Sequence, residues 1–235
     1  MRIVQISDTH ISRNNPARVA DLEVCIDRIN ALDPKPDVVV HTGDVAHDGL
    51  AEEYATARAV LDTLTAPYFV IPGNRDNRHE LIDAFADGRY IQKDMAYVQY
   101  AVEAFDTRLI FADTASVDSN KGRVCEQRMA EIAALLRADA SRPIALFLHH
   151  PPFPVPVAPD PFQYESWSNA EQLAAEFARH PNVRGIFCGH VHRTFETALG
   201  SVDASTLTCV ARDLRKGVTN DAERNRPVFK VHCIG

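Results

Sequence analysis

The sequence predicts an α/β fold, and two observations carry that prediction. Short apolar runs alternate along the chain with longer segments in which apolar residues recur at the spacing of a helix face. In five places an apolar run stops and side chains that can bind metals follow at once. A chain of 235 residues is long enough for one such domain with a substantial core, so we expect a single domain over residues 1–235.

The positions of the expected strands and helices follow from the periodicity of apolar residues. The runs that predict strands are residues 3–6, 38–40, 67–71, 97–102, 108–112, 144–148 and 183–188. The segments that predict helices are residues 16–32, 51–64, 78–85, 125–138 and 169–179. Because no long helix separates residues 97–102 from 108–112, these two strands are expected to be neighbours in a mixed sheet. Beyond residue 192 the pattern is mostly strand-like, through residues 205–210 and 227–233.

Residues 151–168 are Pro-rich and irregular, and they carry several aromatic side chains. Loops of this length are often functional, so a lid over a site is one interpretation. A packing flap or a subunit contact is equally compatible with the sequence. Pairing into a homo-oligomer therefore stays open.

Composition limits the classes of function. The formal charge of −7 argues against a broad surface for nucleic-acid backbones, so a nucleic-acid polymer is not an expected partner. A small anionic substrate is easier to accommodate, because bound metal ions can supply positive charge locally. The five cysteines are scattered without a close pair, which indicates buried thiols in a reducing compartment. With no apolar stretch long enough for a membrane span, we expect a cytoplasmic protein without a membrane partner.

The metal-capable side chains occur where predicted strands end. In an α/β sheet the carboxyl ends of the strands border the ligand crevice, so these clusters would converge on one site. Each cluster alone has another interpretation, such as a turn, a helix cap or a buried core histidine. Their repetition after successive strands favours a site. The clusters are Ser7-Asp8-Thr9-His10, His41-Thr42-Gly43-Asp44, Pro72-Gly73-Asn74-Arg75-Asp76, His149-His150-Pro151 and Gly189-His190-Val191-His192.

The donor types indicate the chemistry. Carboxylate, imidazole and amide donors without a thiolate suit divalent or trivalent ions such as Mn, Fe or Zn. One carboxylate can bridge two ions. Two ions about 3.5–4 Å apart can bind a nucleophilic water and the phosphoryl oxygens together. The sequence thus predicts two metal ions and hydrolysis of a phosphate ester by a metal-bridged hydroxide.

These motifs resemble, in kind and order, the five motifs of the calcineurin-like metallophosphoesterases. The resemblance covers about residues 3–193. The His-His-Pro-Pro and Gly-His-Val-His-Arg runs look most like bacterial class III cyclic nucleotide phosphodiesterases and glycerophosphodiesterases. The resemblance implies a four-layer α/β-sandwich with two central mixed β-sheets flanked by helices. It also implies hydrolysis of a small phosphodiester.

Carried over by position, the resemblance implies a set of seven ligands. One metal would be bound by Asp8, His10 and His192, the other by Asn74, His149 and His190, and Asp44 would bridge them. The choice of His149 over His150 rests on the family's His-x-Pro spacing. Asp44, Asn74 and Arg75 are the expected catalytic residues, and Arg75, His150 and Arg193 are expected to contact substrate.

Two positions depart from the family pattern. Arg75 stands where the family commonly has a histidine that contacts the scissile phosphate or assists departure of the leaving group. Arg does not donate a proton at neutral pH but can bind phosphate oxygens with its planar fork; alternatively, Arg75 turns away and pairs with Asp76 or another acid. His47 stands where many relatives have Asp or Asn. It is a neighbour of the ligands, a contact of the substrate or a simple loop histidine. The alternatives to catalysis of diester hydrolysis are a metal-retaining protein that binds a phosphorylated ligand with weak or no turnover, and a nuclease.

Overall fold

The computed structural model describes residues 1–234. The first sheet has the strand order β10-β1-β2-β3, in which β1, β2 and β3 are parallel and β10 is antiparallel. Its strands are β1 (Arg2–Ile6), β2 (Val38–His41), β3 (Tyr68–Val70) and β10 (Lys230–Cys233). Ile6 pairs with His41, and His41 pairs with Val70, so the three parallel strands end at one level.

The second sheet has the order β4-β5-β6-β7-β9-β8, with parallel strands in the middle and an antiparallel strand at each edge. Its strands are β4 (Tyr100–Val102), β5 (Arg108–Ala112), β6 (Ile144–Leu148), β7 (Val183–Cys188), β8 (Phe195–Leu199) and β9 (Val202–Thr206). The helices are α1 (Ala17–Asn30), α2 (Ala51–Leu61), α3 (Arg78–Phe85), α4 (Glu126–Arg137), α5 (Trp167–Ala178) and the short α6 (Asp221–Arg224).

Side-chain alternation along the second sheet shows how the layers pack. Phe111 and Phe147 belong to the core that includes the first sheet and the apolar faces of α1, α2 and α3. Their neighbours Ile110 and Leu146 belong to a second core with the apolar faces of α4 and α5. Since successive strand residues point to opposite faces, the second sheet lies between these two cores. The predicted sandwich of two mixed sheets flanked by helices is confirmed.

The strand predicted at residues 205–210 differs from the structure. β9 ends at Thr206, and the following residues cross towards the first sheet, where the Val210 amide donates to the carbonyl of Ser7 at 2.9 Å. The α6 helix and a 3-10 turn at Arg212–Leu214 lie in the region that was expected to be mostly strand-like, and the β8 strand there was not located from the sequence. Short polar elements of this kind carry little periodic signal.

The Pro-rich loop is packed against the second core. Phe153, Val155 and Tyr164 are buried there, whereas Phe162 is 45% exposed. Its packing-flap interpretation is therefore supported; a role as lid or subunit contact stays a prediction. Within residues 1–234, no helix combines the length and apolarity needed to cross a membrane.

Candidate metal centre

The strand ends bring all seven predicted ligands together. Asp8 and His10 follow β1, Asp44 follows β2 and Asn74 follows β3 in the first sheet. His149 follows β6, and His190 and His192 follow β7 in the second sheet. Parallel pairing of β1 with β2 and β3, and of β6 with β7, sets these ends at the same edge of each sheet.

The backbone at the predicted ligands is unusual. Within residues 1–234, the non-glycine residues with positive φ are all predicted ligands, with φ from 46° to 74°. They are Asp8, His10, Asp44, His190 and His192. Such conformations cost of order 1–3 kcal/mol each and persist only where surrounding contacts impose them. Their restriction to this one set of residues is independent structural support for a functional site.

The first group of donors surrounds Asp8. His192 Nε2 lies 3.3 Å from Asp8 Oδ1, and His10 Nε2 lies 3.4 Å from Asp44 Oδ2. The two Nε2 atoms of His10 and His192 are 3.1 Å apart. Metal-binding atoms of Asp8, His10, Asp44 and His192 all fall within 4.8 Å of one another, a separation that one cation can span.

The second group is built around Asn74. Its Oδ1 lies 3.1 Å from His149 Nε2 and 2.8 Å from His190 Nδ1. Asp44 faces both groups, because Oδ2 approaches His10 whereas Oδ1 lies 3.5 Å from His149 Nε2. The two oxygens of the Asp44 carboxylate thus face the two groups of donors, one each.

Hydrogen bonds on the far side of three of the four predicted imidazole ligands leave the nitrogen that faces the site without a proton. His149 Nδ1 donates to the carbonyl of Thr42 at 2.8 Å, and His192 Nδ1 donates to the carbonyl of Leu214 at 3.1 Å. His190 uses the opposite ring edge, because Nε2 donates to the side-chain oxygen of Gln163 at 2.8 Å. Outer hydrogen bonds of this kind fix the tautomer and orientation of metal-binding histidines.

The resulting set of atoms fits cations. Asn74 Oδ1, His149 Nε2 and His190 Nδ1 are acceptors that face one another with no donor between them. Asp8 Oδ1 is buried without a hydrogen-bond partner among the described residues. Buried acceptors without a donor are costly, and a metal ion would satisfy them.

Burial and neighbouring charges shift the pKa values of the predicted ligands in different directions. Burial lowers the pKa of His10 to about 2 and also lowers the pKa values of His149 and His190, which keeps their rings neutral. Burial, followed by the charge of Asp8, raises the pKa of Asp44. For Asp8, burial acts to raise the pKa, but the neighbouring His192 ring outweighs it and lowers the pKa. Burial acts to lower the pKa of His192 as well, but the Asp8 carboxylate outweighs it and raises the pKa. The three rings with lowered pKa values are in the neutral form that binds metals.

Glycines next to the ligands allow the close approach of the loops. A Cβ on Gly73 would lie 2.2 Å from Asp44 Oδ1, and a Cβ on Gly189 would lie 2.0 Å from Ser7 Oγ and 2.6 Å from Asp8 Oδ2. Steric crowding thus explains why glycine occupies these two positions of the predicted motifs.

Asp76 and His41 hold the ligand loops in place. The Asp76 carboxylate accepts hydrogen bonds from the amides of Gly73, Val45 and Ala46 at 2.8–3.1 Å. His41 Nδ1 accepts from the Gly43 amide at 3.2 Å, and His41 Nε2 lies 2.9 Å from the Thr9 hydroxyl. These buried contacts tie the loops after β1, β2 and β3 to one another.

Comparison with known proteins identifies the family. The family model described as calcineurin-like phosphoesterase matches residues 1–194. The chain belongs to the calcineurin-like phosphoesterase family. The phosphoesterase is 30% identical over 99% of its length to a probable glycerophosphodiester phosphodiesterase GpdQ from Arcobacter nitrofigilis, of which 88% is covered. It is 33% identical over 88% of its length to the glycerophosphodiester phosphodiesterase GpdQ of Enterobacter lignolyticus, of which 76% is covered.

Two more distant proteins resemble the phosphoesterase. The 3',5'-cyclic adenosine monophosphate phosphodiesterase CpdA of Pseudomonas aeruginosa is 25% identical over 88% of this chain and 76% of its own length. The fold matches that of a dimetal phosphatase from Danio rerio with a TM-score of 0.70 at 17% identity, covering 90% of this chain and 88% of the other.

Arg75 reaches out of the phosphoesterase site in this structure. Its backbone amide donates to Asp44 Oδ1 at 2.7 Å, but its guanidinium donates from Nε to the carbonyl of His47 at 3.0 Å. Nη2 lies 3.9 Å from Asp48 Oδ1, and the side chain is 38% exposed. The alternative in which Arg75 turns towards an acid is thus supported, with Asp48 as that acid. Contact with phosphate stays a prediction.

The other expected substrate residues lie at different places. His150 is fully buried, its Nδ1 lies 2.8 Å from the Thr114 hydroxyl, and its Nε2 donates to the carbonyl of Asn120 at 3.1 Å. His150 is close to His149 and His190, but both of its nitrogens are engaged, so the geometry favours His149 as the ligand. Arg193 lies half-buried in a neighbouring cavity. A substrate contact by His150 or Arg193 stays a prediction.

Two further residues lie near the ligands. Gln163 was not predicted from the sequence, and the role of His47 was left open there. Gln163 comes from the Pro-rich loop and orients His190; a polar residue among the aromatic ones of that loop was the only signal. His47 Nδ1 lies 3.5 Å from His10 Nδ1, which supports its interpretation as a neighbour of the ligands.

Proposed function

We propose that this phosphoesterase hydrolyses a small phosphodiester with two bound metal ions. The observation that carries the proposal is Asp44, whose two carboxylate oxygens face two separate groups of donors. Relatives that cover nearly the whole chain are named glycerophosphodiester phosphodiesterases, and a more distant one is named a cyclic nucleotide phosphodiesterase. Glycerophosphodiesters and cyclic nucleotides are therefore the two substrate classes to test.

In this proposal the seven predicted residues hold the metals. Asp8, His10 and His192 would bind one ion, and Asn74, His149 and His190 the other, with Asp44 shared. The donor set suits Mn, Fe or Zn. Bound ions would supply the positive charge that stabilises the phosphoryl transition state and would lower the pKa of a coordinated water.

The protein residues have the task of holding these donors rigidly. The carbonyls of Thr42 and Leu214 and the side chain of Gln163 keep three imidazoles turned towards the site. Asn74 Oδ1 lies between two of those rings, and the Arg75 amide orients the Asp44 carboxylate. Preorganised donors cost no rearrangement during the reaction, which is why the outer hydrogen bonds contribute to rate. Cytoplasmic residence and the oligomeric state stay predictions.

An assay panel tests the reaction. Purified protein loaded with Mn is assayed against cyclic AMP, glycerophosphocholine, bis-p-nitrophenyl phosphate and p-nitrophenyl phosphate. The expected result is turnover of at least one diester that falls by 100-fold or more in Asp44→Asn, since loss of a group positioned at the transition state costs about this much. Asp83→Asn, a solvent-facing carboxylate on α3, is the matched control and should retain full activity. Strong monoester turnover with negligible diester turnover would contradict the proposal.

The role of the Arg75 side chain can be tested separately, because the backbone amide contacts Asp44 whereas the guanidinium contacts His47 and Asp48. If the guanidinium moves to the phosphate when substrate binds, Arg75→Met should lower kcat/KM for the best diester by about 10- to 100-fold with unchanged metal content. Arg75→Lys should recover only part of this loss. Equal kcat/KM in all three proteins would show that the guanidinium serves only its contacts with His47 and Asp48.

A further inference from the structure

A cavity lies next to the metal centre, and none of the predicted ligands lines it. It has a volume of about 680 Å³ and lies between Val157 of the Pro-rich loop and the segment that precedes β10. Its wall includes Arg193, the residue after His192. The Lys216 amide donates to the carbonyl of His192 at 3.0 Å, so the backbone of the cavity wall is joined to the metal centre.

The cavity is strongly positive in a chain whose formal charge is −7. Five cationic side chains line the cavity. Among its lining residues within 1–234 there is one acid, Glu223, which is exposed. Five of the 25 Lys and Arg residues of this acidic chain meet around one concave place, which creates a local field that attracts anions. The cationic residues are Arg193, Arg215, Lys216, Arg226 and Lys230.

Two of these cations are already engaged by the protein. Arg215 is buried and gives its guanidinium to backbone carbonyls, among them those of Cys209 and Val210 at 2.9 Å. Lys230 pairs with Glu196 at 2.6 Å. The side chains of Arg193, Lys216 and Arg226 have neither an ion pair nor a hydrogen bond to any of residues 1–234. Three cations therefore remain for a ligand.

The side chain of Arg193 is positioned to bind such a ligand. Its Nε is buried and has no hydrogen-bond partner among the described residues. Gly217 has a φ of 75°, and a Cβ there would lie 2.7 Å from Arg193 Nη1, so the guanidinium occupies the space a side chain would need. A buried donor without a partner costs about 1–3 kcal/mol, which an acceptor on a bound ligand would recover.

The remaining walls are largely apolar. Val157, Leu207, Val228 and Phe229 line the same cavity. A ligand that combines an anionic group with a carbon skeleton would fit both surfaces, as small-molecule sites generally pair a few polar groups with an apolar wall. A cationic headgroup would be repelled.

We propose that this cavity is an anion site for a small molecule that carries a phosphate group on an organic skeleton. The phosphate has two candidate sources. It is either a second anionic group of the diester substrate, or a free phosphate monoester that binds beside the metal centre. The first source rests on the proposed hydrolysis; binding of a free monoester does not.

Binding of a free monoester is tested on the Mn-loaded protein. Isothermal titration with adenosine 5'-monophosphate, and with adenosine as the uncharged match, is done on wild type, Lys216→Gln/Arg226→Gln and the control Lys93→Gln. Lys216, Arg226 and Lys93 are exposed, so the substitutions remove charge without removing core packing. We expect the double variant to bind the nucleotide about tenfold more weakly, with adenosine unaffected. Equal nucleotide affinity in all three proteins, or no binding in wild type, overturns free-monoester binding.

The substrate arm uses a matched pair of esters. Thymidine 5'-(p-nitrophenyl phosphate) is compared with the same ester carrying a 3'-phosphate. If the cavity serves the substrate, wild type prefers the 3'-phosphorylated ester in kcat/KM and the double variant loses about tenfold of that preference. No preference together with charge-dependent nucleotide binding assigns the site to a free monoester. Lack of any preference together with unchanged nucleotide affinity overturns the site altogether, whereas failure to hydrolyse either ester counts against the proposed reaction.

Discussion

Gly73 tests how closely the metal centre depends on the approach of its loops. A Cβ at this position would lie 2.2 Å from Asp44 Oδ1, 2.4 Å from the Asp44 amide nitrogen and 2.7 Å from His149 Cε1. Carbon contacts are normally about 3.5 Å or longer, so the loop that carries Asp44 must move by roughly 1 Å. A displacement of this size at a reacting group costs about 100-fold in rate. Gly73→Ala should thus lose about 100-fold in kcat/KM and bind metal poorly.

Gly88→Ala is the control that separates this displacement from loss of stability. Gly88 has a φ of 71° and no atom within 4 Å of an added Cβ, so alanine adds backbone strain of about 1–2 kcal/mol without steric contact. Gly73→Ala should cost about 1–3 kcal/mol through overpacking. Urea unfolding, metal analysis by mass spectrometry and diester kinetics distinguish the two variants. Wild-type metal content and kcat/KM in Gly73→Ala would refute the reasoning.

The remaining predictions concern two other histidine sites. His149→Ala should lose one metal equivalent. His150→Ala should keep both metal equivalents and lose about 1–3 kcal/mol of stability, because Thr114 and Asn120 lose a buried partner. The reverse pattern in metal analysis would assign the ligand to His150. Burial lowers the pKa of His232 from 6.5 to about 3, so its stabilising contribution is present above pH 6.5 and is lost as the pH falls towards 3. The free energy of unfolding should therefore drop by about 2 kcal/mol more between pH 7 and pH 5 in wild type than in His232→Gln, measured by urea unfolding in EDTA; parallel pH profiles would contradict this.

Most of the fold was predictable because its elements are long and periodic. The strands at 108–112, 144–148 and 183–188 and the helix at 78–85 have the same bounds in the structure as in the prediction. The segment after His192 was predicted less well, because its direction depends on contacts such as that of the Val210 amide with the carbonyl of Ser7. Such contacts join residues that are far apart in the chain and leave no local pattern.

The order and kinds of the candidate ligands are properties of the sequence itself. A run of valines followed by Thr42-Gly43-Asp44 indicates both a buried strand and a donor at its end, and parallel strands bring such ends together. The sequence therefore determined which kinds of donor meet at the ends of the strands.

The orientation of those side chains depends on long-range packing and could not be read from the sequence. The proton on His149 is placed by the carbonyl of Thr42, which lies 107 residues away in the chain, and the proton on His190 by Gln163 in the Pro-rich loop. Likewise, the turn of Arg75 towards His47 and Asp48 and the gathering of Arg193, Lys216 and Arg226 around one cavity depend on packing. The physical reason is that donor type and periodicity are local, whereas the direction of a lone pair or a guanidinium is set by whichever distant group packs against it.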